Sequence, residues 1–131
     1  MPAYEGGSFS PPAPVARIVV RHSETGSSVP DVTMLIDSGA DVTLIPKLPI
    51  ATLGLVGAGQ HYQLVAFDGT ARESEAVQAD IVFLNKRFHG RYLLVEGEVG
   101  ILGRDILNHL RLLLDGPMLA WEESSSSTKK A

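Results

Sequence analysis

The apolar residues of this chain come in short runs, each cut off by glycine, proline or a polar pair, and runs of that length favour strands over helices. Residues 15–22 alternate, with Ile18 and Val20 on one side and Arg17 and Arg21 on the other. After a polar turn around Gly26, residues 32–36 are almost continuously apolar, as in a strand buried on both faces. Residues 42–45 repeat the pattern and stop at Pro46, and residues 48–53 fit one short helical turn before Gly54. Strands are predicted over 60–67 and 70–84 with Asp68-Gly69 as the hairpin signal between them. Asn85-Lys86 then turns the chain into a strand over 88–95, and residues 99–102 predict another buried strand. Only residues 104–110 carry a helical stripe, with Ile106, Leu107 and Leu110 on one face after Gly103. Residues 111–114 and 118–121, joined across Asp115-Gly116-Pro117, predict a closing hairpin. The fold class is therefore all-β with one short C-terminal helix.

Domain organisation follows from where the apolar runs stop. Residues 1–14 hold Pro2, Gly6, Gly7, Pro11, Pro12 and Pro14 and predict a flexible N-terminal arm, while residues 123–131 predict a disordered Ser/Lys tail. Residues 15–122 remain, enough for one modest core. A net charge of −4 provides no basic field for a nucleic acid. With no cysteine, disulfide scaffolds, thiolate nucleophiles and cysteine-based metal centres are excluded. His22, His61, His89 and His109 lie too far apart for a local ligand motif, so no metal is expected. The glycines at 54, 57 and 59 lack the order of a dinucleotide loop, so no cofactor is expected either. The uncharged stretch over 48–67 is broken by Pro49, Gly54, Gly57 and Gly59, which argues against a membrane partner. Residues 1–14 have neither a basic residue nor an apolar core of a secretory signal, so the expected location is cytoplasmic.

The chemistry is concentrated in Ile36-Asp37-Ser38-Gly39-Ala40-Asp41. A carboxylate directly after a buried strand must face a cleft or find partners. Ser38 and Gly39 offer amide donors and a permissive backbone where the chain has to turn, which would hold Asp37 ionised and aimed. A plain Asx-type turn between two strands is the other reading of the same residues, and the local pattern leaves both open. A second element, Ile101-Leu102-Gly103-Arg104-Asp105, places an apolar pair and a glycine before the helix.

Together, in that order and with a hairpin between them, the two elements resemble the retropepsin-like aspartic proteases over about residues 15–122. The resemblance implies a closed β-barrel of that family. Asp37 would be the catalytic aspartate, paired with Asp37 of a second copy in a homodimer, with Ser38 and Gly39 supporting the dyad. Gly39, Ala40 and Asp41, with Phe67, Asp68, Gly69 and Thr70 of the hairpin as a flap, would bind a peptide or protein substrate. Residues 101–103 would cross beneath the active-site loop, so that Asp41 and Arg104 meet as a partly buried ion pair. The flap has one glycine, fewer than retroviral flaps, and the helix is followed by a full hairpin, which implies a dimer interface unlike the four-stranded retroviral one. The function implied is an aspartic endopeptidase. The alternatives are a catalytically weak binding domain of the same fold, and a small β-barrel interaction module in which Asp37 is only a turn residue.

Overall fold

The computed structural model describes residues 2–55, 61–65 and 68–124. Its elements in chain order are β1 (Tyr4–Glu5), β2 (Ala13–Arg21), β3 (Ser28–Ile36), β4 (Leu44–Pro46), α1 (Lys47–Thr52), β5 (His61–Val65), β6 (Ala71–Phe83), β7 (Lys86–Val95), β8 (Gly100–Leu102), α2 (Arg104–Leu107), β9 (Leu112–Asp115) and β10 (Ala120–Glu123). Strands β2, β3, β8, β4, β7 and β6 lie side by side, and β6 returns to β2 through Val19↔Val82, Val20↔Ile81 and Arg21↔Asp80. The result is a closed barrel of six strands, in which closure removes the open edges that an isolated sheet would expose. The short helical turn expected over residues 48–53 is present as α1, beside the C-terminal helix α2.

The period-two pattern of β2 is realised directly: Ala16, Ile18 and Val20 point into the core and Arg17 points out. They meet Met34, Ile45, Val77, Ile81, Leu102 and Ile106 in one apolar cluster. The third strand corrects the sequence reading. It starts at Ser28, and only Val32 and Met34 of its apolar run are buried, so it is covered on one face within the chain. Its pairing with β2 shifts by one residue between Ile18 and Val20, where Asp31 has φ 59°. Pro30 cannot donate to a ladder, and the extra residue beside it is taken up as a bulge. The β6–β7 turn sits one residue earlier than expected, at Leu84 and Asn85, both with positive φ, the two-residue geometry that suits the twist of a hairpin. Helix α2 ends at Leu107 because His109 and Leu110 donate three residues back, to the carbonyls of Ile106 and Leu107, tightening the chain before β9.

The terminal segments also depart from expectation. The arm is fastened: Trp121 N–H donates to the Pro2 carbonyl (3.0 Å), Tyr4 N–H donates to Leu119 (2.8 Å), and Tyr4 pairs with Pro14. A segment with little apolar content of its own is ordered by supplying backbone partners to an otherwise open strand edge. At the other end Glu123 belongs to β10 and Ser124 N–H donates to the Arg111 carbonyl at 2.7 Å, while residues 125–131 lie outside the described residues. Trp121 is 2% exposed, and its indole N–H donates to the Val15 carbonyl.

Where β6 closes onto β2, the buried Asp80 carboxylate accepts from Arg21 Nη1 (2.8 Å), Ser23 Oγ (3.0 Å) and His89 Nδ1 (2.7 Å). Burial alone raises the carboxyl's pKa, but the bonds from His89, Ser23 and Arg21 outweigh it and hold Asp80 below its ordinary value of 3.8. A depressed carboxylate stabilises the fold above its ordinary pKa and loses that contribution as pH falls through the folded value. Asp80→Ala should therefore cost about 1–3 kcal/mol at neutral pH, since three donors lose their acceptor. In urea titrations the gap between wild type and variant should narrow once pH drops below 3.8, and a gap that stays constant into acid would remove Asp80 from this role.

Candidate active site

Asp37 stands directly after β3, and its position is fixed by the strand on its flank. Strand β8 runs parallel to β3, pairing Met34 with Gly100, Leu35 with Ile101 and Ile36 with Leu102. The ladder continues one step, with Asp37 N–H donating to the Leu102 carbonyl at 3.1 Å. The chain then turns on itself: Gly39 N–H donates to Asp37 Oδ1 (2.9 Å) and Ala40 N–H donates to the Asp37 carbonyl (3.2 Å). The sequence left an Asx turn and an aimed carboxylate as rival readings. The geometry contains both, because the Asx turn is what orients Oδ1. Asp37 is half-buried, and Ser38 and Gly39 are exposed, so the carboxylate opens to solvent at the barrel's end.

The element expected to cross beneath this loop does so. Gly103 packs so closely that an added Cβ would strike the Val42 carbonyl and come within 3.0 Å of the Ala40 oxygen. Arg104 N–H donates to the Ala40 carbonyl at 2.8 Å. The expected ion pair is not formed: among the described residues Asp41 and Arg104 make none, and both are exposed. Arg104 Nη1 instead donates to the Ser38 carbonyl at 2.8 Å, so the guanidinium holds the turn after Asp37 through its backbone. The buried polar contact lies one residue on. Thr43, fully buried, donates from Oγ1 to Asp105 Oδ1 (2.6 Å) and from its amide to Oδ2 (3.1 Å), while its hydroxyl accepts from Gly103 N–H (3.0 Å). Sequence reasoning missed this pair. The available signal was a Thr inside an apolar run and an Asp in the first turn of a helix, where a carboxylate suits the free amides.

In the hairpin between β5 and β6, Asp68 Oδ1 accepts from the Thr70 hydroxyl (2.6 Å) and amide (2.9 Å), and Gly69 adopts φ 88°. The Thr70 hydroxyl is the chief reason the Asp68 carboxyl lies below its ordinary value. Asp68, Gly69 and Thr70 are all exposed. Phe67, also expected in this flap, lies outside the described residues. An open cavity of about 580 Å³ between the start of β7 and the α2–β9 link, lined by Lys86, His109, Arg111 and Glu123 among others, contains none of the expected site residues. No helix among the described residues is long and apolar enough to cross a membrane.

Comparison with known proteins places this geometry. A family model described as retroviral aspartyl protease matches residues 11–115. Among solved structures, EIAV protease complexed with the inhibitor HBY-793 matches with a TM-score of 0.55 and 23% identity, over 74% of this chain and 86% of that one, a likeness of fold. No curated protein matches the sequence.

The contacts around Thr43 predict their own sensitivity. Thr43→Val removes a hydroxyl that both donates and accepts in a buried site, and should destabilise by about 1–3 kcal/mol. In a double-mutant cycle with Asp105→Ala the two losses should be clearly non-additive, whereas Asp41→Ala with Arg104→Ala should show coupling near zero. Gly103→Ala should be more damaging than either, because its Cβ meets backbone that cannot rotate away. Chemical unfolding of the variants reads all three.

Proposed function

Because the chain belongs to the retroviral aspartyl protease family, we propose that it is an aspartic endopeptidase whose site is a dyad of Asp37 from two copies in a homodimer. The observation that carries this reading is a half-buried carboxylate at the end of a core strand, its Oδ1 fixed by the Gly39 amide, inside the region the family matches. One chain contains a single Asp-Ser-Gly, so one copy provides half a dyad. Two carboxylates about 3 Å apart share one proton, because both cannot ionise at that separation. The ionised member takes a proton from a water, whose oxygen attacks the peptide carbonyl carbon. The protonated member gives its proton to the carbonyl oxygen. When the tetrahedral intermediate collapses, the C–N bond breaks, the aspartate that took the water's proton passes it to the nitrogen, and a hydroxyl of the intermediate returns a proton to the other aspartate.

The remaining site residues take their roles from this chemistry. Ser38 supports the dyad, and its carbonyl is already held by Arg104. The exposed backbone of Gly39, with Ala40 and Asp41 beside it, forms the rim along which an extended peptide would lie. The hairpin carrying Phe67, Asp68, Gly69 and Thr70 is the flap that would close over the peptide and exclude water.

Incubation with unfolded casein tests the reading. Wild type should cleave, a pepstatin-type inhibitor should suppress cleavage, and Asp37→Asn should reduce it at least about a hundredfold, the scale on which a positioned acid or base acts. The kcat/KM profile should be a bell with its optimum below neutrality, since the dyad works only with one proton shared. Cleavage by Asp37→Asn at the wild-type rate, or a flat profile, would reject the aspartate dyad.

A further inference from the structure

Arginine is concentrated on one outer face of the barrel, that of β2, β6 and β7. Alternation sends Val77, Ala79, Ile81 and Phe83 of β6 and Tyr92 and Leu94 of β7 into the core. Between them Gln78, Asp80 and Val82 of β6, and Arg87, His89 and Arg91 of β7, face outward. On β2, Ala16, Ile18 and Val20 face inward, which leaves Arg17, Val19 and Arg21 on the outside.

The strand registers join these residues into one surface. His89, Asp80 and Arg21 form a row across the three strands, and Arg87, Val82 and Val19 form the next. Arg91 stands opposite Gln78, and Arg17 follows Val19 two residues along β2. In a chain whose carboxylates outnumber its lysines and arginines 15 to 11, these positions hold four arginines and one carboxylate. That carboxylate, Asp80, is buried and already bonded to Arg21 and His89. Arg17 and Arg87 are exposed, and neither has an ion-pair partner among the described residues. Asp31 and Glu24, exposed on the neighbouring strand and turn, pair with neither of them. Cations so close together repel one another, and a bound anion turns that repulsion into attraction.

Spacing indicates the form of the anion. Arg87, His89 and Arg91 alternate along one strand, so they step by about 6.7 Å, as do alternate side chains of any extended polypeptide. Val82 and Val19, half-buried between Arg87 and Arg17, provide an apolar floor for the aliphatic parts of such a segment. A nucleic acid suits the face less well. The outward positions include no Phe, Tyr or Trp for bases to stack on, and a net charge of −4 repels a long phosphate backbone.

We infer that the outer face of β2, β6 and β7 binds an extended acidic segment of a polypeptide, its carboxylates meeting Arg87, Arg91 and Arg17. In the protease reading, on which this role rests, the segment belongs to the protein substrate. Thr33, opposite Arg17, precedes Asp37 by four residues, about 13 Å along β3, so one unfolded substrate can reach both places. Two weak contacts on one chain then reinforce each other through effective concentration.

The probe is a short fluorescent peptide of alternating Glu and Ser, read by anisotropy on Asp37→Asn protein so that cleavage plays no part. It should bind, and binding should weaken with added salt, because exposed charges are screened. Arg17→Glu and Arg87→Glu should each weaken it at least about fivefold, with circular dichroism unchanged. Lys47→Glu, the same change of charge on α1, should not, and a peptide of alternating Lys and Ser should not bind. Should a glutamate variant fail to fold, the glutamine variant at that position replaces it. In protein with Asp37 intact, both arginine variants should raise KM for unfolded casein, an acidic protein, and leave kcat unchanged. No binding, binding that both arginine variants leave intact, or tighter binding of a single-stranded oligonucleotide of equal charge would overturn the inference. Asp37-dependent cleavage of casein without peptide binding rejects the face and leaves the dyad standing. Peptide binding without any cleavage keeps the face and removes the substrate role together with the protease reading.

Discussion

The insertion of β8 between β3 and β4 is the constraint on which the rest of this structure depends. Three residues, Gly100, Ile101 and Leu102, pair parallel with one neighbour and antiparallel with the other, so strands far apart in sequence become adjacent. Fitting a strand there demands an absence of side chain at both its flanks. A Cβ at Gly100 would strike the Leu44 carbonyl and lie 2.5 Å from Met34 Sδ, and one at Gly103 would strike Val42. Real side chains do not approach so closely, so these positions are set by packing. The loop of Asp37 inherits its rigidity from this arrangement: its amide extends the β3–β8 ladder, and its far end is held by Thr43 on Asp105. In the proposed dyad each carboxylate has to be held in place before the partner arrives, and here the barrel holds the Asp37 turn.

How much of this was legible in the sequence depends on the range of the forces involved. Alternation in β2, the apolar run before Asp37 and the Asp68-Gly69 hairpin signal are local, and each element is present. That residues 101–103 pass beneath the Asp37 loop followed from the resemblance, but their parallel pairing with β3 did not, since no local pattern says which strand a buried run lies beside. The failures are equally physical. Pro30 and Asp31 hid a bulge inside β3, because a register shift is negotiated with the partner strand. The N-terminal arm looks unstructured by composition, yet its backbone completes the edge of β10. Asp41 and Arg104 had suitable charges, but the buried Thr43 has a hydroxyl and an amide to satisfy, and Asp105 accepts from both.

The clasp at Asp80 shows why charge pattern alone does not reveal chemistry. Asp80, His89 and Ser23 are residue types that elsewhere make a nucleophilic triad, and they lie within hydrogen-bond distance of one another. Here the serine and the carboxylate both meet the same ring nitrogen, Nδ1 of His89. A relay needs the two partners on opposite nitrogens, so that one orients the ring while the other loses its proton to it. With Arg21 bound to the second carboxylate oxygen, the cluster joins β2, β6 and β7 at the point of barrel closure, and its role is structural.

One short segment holds the Asp37 turn and leads directly into the C-terminal hairpin. From Gly100 to Leu107 it supplies β8, the Arg104 contact to Ser38 and the Asp105 contact to Thr43, which hold the turn that carries Asp37. After a four-residue link from α2 it becomes β9, which carries the exposed Leu113 and Leu114. Because α2 is a single tight turn, a displacement at one end has little slack before it reaches the other. The turn that carries Asp37 and the β9–β10 hairpin are therefore linked through one short stretch of chain.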